Sequence, residues 1–156
     1  MARHYWLMKS EPGVYSLDDL KRDKKTSWDG VRNYRARNYL RDQIKLDDGV
    51  LFYHSRVDPM AVVGIAKVVK EAHADPSQFD PHSKYFDEKS TPDKPRWYVV
   101  DIAYEHHFKN PVTLKSLHDV PGLEAMVLLN NSRLSVQPVT AEEWKIIHRL
   151  GAKRMP

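Results

Sequence analysis

The chain has 156 residues, 41% hydrophobic and 29% charged, a balance that supports one hydrophobic core and excludes a disordered polypeptide. With no cysteine it can form neither a disulfide nor a thiolate metal site, and no run of about 18 apolar residues marks a membrane span. Its 25 Lys+Arg against 21 Asp+Glu give a net charge of +4, a mildly basic balance that suits a phosphate-bearing partner without identifying one.

Taken in chain order, Tyr5 to Lys9 reads as a first strand, ended by Ser10-Glu11-Pro12-Gly13. Ser16 before Leu17-Asp18-Asp19-Leu20 is a helix N-cap with acids in its first turn. Asn33 to Asp42 reads as a second helix with Ala36 and Leu40 on its buried side, and Asp48-Gly49 as a turn before the strand Val50 to His54. Ala61 to Ala72 is a long strand in which Gly64 marks a bulge or a close backbone approach. The Pro-, Asp-, Ser- and Lys-rich stretch from Asp75 to Pro95 reads as a surface excursion. Arg96 to Phe108 is the strongest strand, and Val112-Thr113-Leu114 and Leu123 to Leu129 lead into short helical turns. Leu134 to Gln137 alternates as a late strand, and Thr140-Ala141-Glu142-Glu143 is a capping box for a helix that Gly151 closes.

Strands interspersed with short helices, without regular alternation, predict an α+β fold over residues 1–156 as a single domain. No apolar stretch of a secretory signal opens the chain. With the missing cysteines, this gives the expectation of a cytoplasmic protein with no membrane partner.

Met8-Lys9-Ser10-Glu11-Pro12 is followed by Tyr15-Ser16-Leu17-Asp18-Asp19-Leu20, then by Trp28-Asp29-Gly30-Val31-Arg32-Asn33-Tyr34-Arg35-Ala36-Arg37-Asn38 and Phe52-Tyr53-His54-Ser55. Leu129-Asn130-Asn131-Ser132-Arg133-Leu134-Ser135-Val136-Gln137-Pro138-Val139 completes the pattern. Together these segments resemble the EVE domain family, in the same order over nearly the whole chain. The resemblance implies a PUA-like fold, a strongly bent mixed β-barrel flanked by short helices and related to the YTH readers of methylated adenine. It also implies a non-catalytic module that takes a modified base of DNA or RNA into a pocket, with no cofactor. Related domains stand beside nucleases, which leaves room for a separate effector protein as a partner. Position 35 is Arg where many relatives carry Gln.

A flipped base needs a flat apolar surface to stack on and polar groups to read its edge. Trp28 offers such a surface, Gly30 and Val31 a close backbone, and Asn33 both a donor and an acceptor. The competing reading makes Trp28 core and Asp29-Gly30 a turn. A free-standing Trp28 platform predicts that Trp28→Ala abolishes binding and leaves stability nearly intact. Arg32, Arg35, Arg37 and Arg41 form the densest basic cluster, with Arg37 and Arg41 on one helical face. Phosphate gripping by Arg35, Arg37 and Arg41 competes with a solvated face paired to Asp42, Asp47 or Asp48. Lys9-Ser10 and Tyr53-His54-Ser55 end two strands that can converge on one mouth, where capping is the plainer alternative. With the family pattern these become pocket candidates, as do Ser132, Arg133 and Ser135, and Trp97 as a further aromatic wall.

An alternative function is an enzyme acting on a modified nucleotide or nucleoside-like ligand, with His54 as acid or base. No HExxH, P-loop, GxSxG or dinucleotide fingerprint supports it, and no acid is placed to orient His54. No metal site is expected.

Overall fold

The computed structural model describes residues 3–130 and 133–152. Six strands form one mixed sheet: β1 (Tyr5–Ser10), β2 (Lys25–Ser27), β3 (Gly49–His54), β4 (Ala61–Ala74), β5 (Tyr98–Thr113) and β6 (Val136–Val139). Their order is β2-β5-β4-β3-β1-β6. Every neighbouring pair is antiparallel except β1 and β3, which run parallel with Ser10 opposite His54. The register of β4 on β5 shifts at four places, one of them between Val62 and Gly64. Such irregularities raise local twist and bend a strand. The outer strands β2 and β6 are not paired with each other, so the sheet is strongly bent without closing into a barrel.

Both faces of the sheet are covered. That is why β3 is a continuous apolar run rather than an alternating one. Trp6, Met8, Val50, Phe52, Val100 and Ile102 face one core. Onto that core pack Leu17 and Leu20 of α1 (Leu17–Asp23), Ala36 of α2 (Tyr34–Asn38), and Leu40 and Ile44. Leu7, Leu51, Tyr53, Val62 and Ile65 face the other core, against Leu117 of α3 (Leu114–Leu117), Leu128 of α4 (Val127–Asn130), and Trp144 and Ile147 of α5 (Ala141–Ala152). Ser16 and Thr140 cap α1 and α5 through reciprocal capping boxes, as their sequences predict.

Four sequence expectations change. The second helix ends as α2 at Asn38 and continues as a widened π turn over Tyr39–Gln43, where Ile44 N–H reaches Tyr39 O at 2.9 Å. Strand β2, three residues long, carries no alternation from which it could be read. The segment from Asp75 is no simple excursion: Gln78, fully buried, donates to the carbonyls of Asp75 and Trp97 at 2.8 Å. Its Oε1 accepts from Ser90 Oγ and from the N–H groups of Arg96 and Trp97.

The fourth change concerns Gly151, the last residue but one of α5, where the Phe108 ring fills the space a Cβ would take, so packing rather than helix termination asks for glycine there. Alanine there gains about 1 kcal/mol of helix propensity. The clash with an aromatic core ring costs about 1–3 kcal/mol. Gly151→Ala is therefore expected to lower the thermal midpoint, and a raised midpoint would refute the close packing.

Candidate functional site

Parallel pairing of β1 and β3 puts their C-terminal ends side by side, which brings Lys9 and Ser10 next to Tyr53 and Ser55. Ser55 N–H donates to Ser10 O at 2.9 Å, and Lys9 N–H to Ser135 O at 2.9 Å, so the start of β6 joins the same rim. From the opposite outer strand, β2 runs on into Trp28, whose N–H donates to Val100 O at 2.9 Å. The bend of the sheet thus carries Ser27, at the end of β2, and Ser135, just before β6, to one cleft of about 870 Å³. Of the sequence-derived candidates, Lys9, Ser10, Trp28, Gly30, Val31, Arg32, Tyr53, Ser55, Arg133 and Ser135 line it. Ser132 lies outside the described residues.

Trp28 is only 8% exposed and meets Phe52 edge-on with ring centroids 5.4 Å apart. It is the floor of the cleft and part of the core at once. Gly30 has φ +78°, a left-handed conformation suited to glycine. Its N–H donates to Asp75 Oδ2 at 2.9 Å, and the Tyr85 ring occupies the space above it, 2.6 Å from where a Cβ would stand. The close approach expected at Gly30 is therefore made by Tyr85, and its amide is already engaged.

Arg32 lines the cleft, but its guanidinium faces inward. Nε and Nη2 donate to Tyr85 O at 3.2 and 2.8 Å, and Nη2 also to Ser77 Oγ at 3.1 Å. Nη1 donates to Val31 O at 2.9 Å and to Asp75 Oδ2 at 3.0 Å. A guanidinium has five N–H donors, and all five are taken. The group also lies over the Tyr85 and Trp97 rings, at 5.3 and 5.1 Å from their centroids. Arg32 is thus a strut that ties the cleft wall to the segment after Asp75. Burial pushes the Asp75 carboxyl up, but hydrogen bonds from Ser77, Gly30 N–H and Arg32 outweigh it and hold Asp75 below the usual carboxylate range.

Asn33, His54 and Trp97 do not line the cleft. Asn33 Oδ1 accepts the Ala36 N–H at 3.0 Å as the N-cap of α2. His54 Nε2 accepts the Leu17 N–H at 3.1 Å, which fixes a neutral ring, and burial lowers its pKa. Trp97 donates Nε1–H to Asp87 at 2.8 Å and stacks on Tyr34 at 4.8 Å. Of the arginines of α2 and the π turn after it, Arg37 lies over Tyr34 and donates to Arg96 O, and Arg41 pairs with Asp42 at 2.8 Å. Arg35 has no ion-pair partner among the described residues. None of the three reaches the cleft.

The structure adds residues that sequence reasoning passed over: Tyr85, Asp29, Tyr15, Met60 and Arg56 also line the cleft. For Tyr85 the one signal in the chain was an aromatic pair, Tyr85-Phe86, in a stretch whose other aromatic is Phe79. Lys9 is lowered in pKa by burial and lies 5.8 Å from the Tyr53 ring centroid. The exposed Arg56, at φ +52°, stands 3.6 Å from Glu11. Around Trp28 the lining thus mixes the cations Lys9, Arg56 and Arg133 with the carboxylates of Glu11 and Asp29. Among the described residues no cluster of three metal-ligating side chains occurs, and no helix is long and apolar enough to cross a membrane.

Comparison with known proteins places this geometry among relatives. The EVE domain family model matches residues 4–150. Mouse thymocyte nuclear protein 1 is 42% identical over 163 residues, spanning 92% of this chain and 72% of its own. A Leishmania major structure superposes with a TM-score of 0.92 at 44% identity, covering 96% of this chain and 95% of the other. The human THYN1 protein, in complex with 5-methylcytosine containing DNA, superposes with a TM-score of 0.89 at 39% identity, covering 97% and 99%. The nuclear designation of the mouse relative overturns the cytoplasmic expectation. Cytosol and nucleus both keep thiols reduced, so missing cysteines could not separate them.

Proposed function

Because the chain belongs to the EVE domain family, we propose that it is a non-catalytic module that reads a modified base of DNA in the cleft above Trp28. The observation that carries this reading is the cleft itself, lined by aromatic rings, cations, hydroxyls and two carboxylates, in a chain 39% identical to a protein whose structure holds 5-methylcytosine DNA. A base extruded from its strand lies over Trp28 beside Tyr85, where stacking contributes about 1–3 kcal/mol. Ser10, Ser55 and Ser135 lie within the same wall to meet its polar edge. Lys9, Arg56 and Arg133 hold the flanking phosphates, with Arg35 as an outlying contact. RNA carrying a modified base fits the same chemistry and is an arm of the test, and an effector protein would act after binding. The neutral His54, turned to Leu17, has no place in this reading as acid or base.

Binding is to be measured by fluorescence anisotropy with DNA and RNA oligonucleotides carrying one 5-methylcytosine or one cytosine, at two salt concentrations. Phosphate contacts weaken with salt for every oligonucleotide alike, whereas base recognition leaves a preference that salt does not erase. The expected result is tighter binding of the 5-methylcytosine DNA at both concentrations. Equal affinity for both bases, or conversion of a modified nucleoside to product, overturns the proposal.

A further inference from the structure

Val14, at 66%, is the most exposed large apolar side chain among the described residues, and it lines the cleft together with Met60, which is 37% exposed. Single exposed apolar residues are common. Here two come to one mouth from separate connections, Val14 from the turn after β1 and Met60 from the connection between β3 and β4. Both backbones are fixed. Val14 N–H and Tyr15 N–H donate to Glu11 O at 2.9 Å, Ser10 Oγ donates to Tyr15 O at 2.6 Å, and Met60 O accepts the Leu114 N–H at 2.8 Å. Glu11 and Arg56, 3.6 Å apart, tie the two connections together. Neither Val14 nor Met60 belongs to either core.

We propose that Val14 and Met60 form an apolar lip that fills the stack of a DNA duplex at the place the read base has left. This rests on the base-reading function proposed above. A base that swings out leaves a gap about 3.4 Å tall between the flat faces of its neighbours. Water fills such a gap poorly, and an apolar side chain entering it restores the lost contact. The gap opens at the mouth of the cleft that receives the base. A filling group must therefore be apolar, exposed at that mouth and carried on a fixed backbone, and Val14 meets all three conditions. Its β-branched side chain has little rotamer freedom to lose, while the unbranched Met60 adapts to the space beside it.

The charges beside the lip are compatible with this role. Glu11 alone would repel the strand, but Arg56 stands next to it with its side chain 83% exposed. Lys9 and Arg133 line the same cleft. The lip acts only where there is a stack to fill. A base presented in a single strand leaves no gap between paired neighbours, so Val14 and Met60 contribute less to its binding. They set a preference for duplex over single strand, whereas the interior of the cleft sets the preference for the base.

The test measures Kd for one 5-methylcytosine strand, alone or paired with its complement, in the wild type, in Val14→Ser, and in Val14→Ser combined with Met60→Gln. The readout is the ratio of duplex Kd to single-strand Kd, in which contacts common to both forms cancel. Val14→Ser should raise this ratio about 3- to 10-fold, and the double variant about 10- to 30-fold. Val14→Ile, still apolar and β-branched, should keep the wild-type ratio. Melting curves of the variants separate a changed ratio from lost folding. A folded double variant with the wild-type ratio, or a ratio that rises alike in Val14→Ile and Val14→Ser, overturns the lip. Failure of the wild type to prefer 5-methylcytosine over cytosine in either form refutes the base-reading cleft and the lip with it. That failure is read on the wild type alone, so the two are told apart.

Discussion

Asp75→Ala is expected to cost about 3–5 kcal/mol at neutral pH, because it strips a buried charge pair of one partner. The Asp75 side chain is fully buried and that of Arg32 is 22% exposed. Removing the carboxylate leaves the Arg32 charge uncompensated and the Gly30 N–H without its acceptor. For a chain of this length the loss amounts to a fall in thermal midpoint of about 6–20 °C. The pH dependence follows from the lowered carboxyl. Asp75 contributes stability above the unfolded aspartate value of about 3.9, and that contribution is lost as pH falls through its depressed folded value. The gap between wild type and Asp75→Ala should therefore be widest near neutrality and narrow in acid. Urea unfolding at several pH values measures it. A neutral-pH loss below about 1 kcal/mol would place the Arg32–Asp75 pair among ordinary surface pairs.

This buried pair also shows what the sequence could and could not convey. Local chemistry was legible: Ser16 and Thr140 announced their helices, whereas the turn read at Asp48-Gly49 falls just before it, at Leu46-Asp47, with Gly49 already in β3. Strand ends at Ser10 and Ser55 could be read as neighbours only through the family pattern, and parallel pairing of β1 with β3 supplies the physical reason. The cluster Arg32, Arg35, Arg37 and Arg41 was dense in charge, but charge density does not say where a side chain points. Arg32 turns inward to a carboxylate 43 residues away, Arg37 lies on Tyr34, and Arg41 pairs with its neighbour. Asn33 had the donor and acceptor a base edge needs, and the helix start took its oxygen first. The polar composition of the segment after Asp75 concealed a buried network, because Gln78, Ser90 and Asp75 satisfy one another and the backbone rather than water. Hydrophobicity cannot announce a core built from hydrogen bonds. Tyr85 enters the cleft on that network, which is why it was missed.

Trp28→Ala is expected to cost about 3–5 kcal/mol of stability, against the expectation of a free-standing platform. The ring is 8% exposed and packs among Phe52, Val31 and Val100 in one core, so alanine leaves a cavity beneath the cleft. Loss of DNA binding in this variant would mix two causes, a missing stacking surface and a collapsed floor. Tyr85→Ala separates them. Its ring rests on Gly30 and on Arg32 and is only partly buried, so removing it should cost less stability than removing Trp28. If a base stacks against Tyr85, binding weakens by about 10- to 100-fold through the lost contact alone. Calorimetric midpoints and anisotropy titrations of both variants, taken well below the lower midpoint, give the two quantities independently. A Trp28→Ala protein that melts with the wild type would return Trp28 to the role of an exposed platform. A Tyr85→Ala protein that binds 5-methylcytosine DNA as the wild type does would leave the base resting on Trp28 alone.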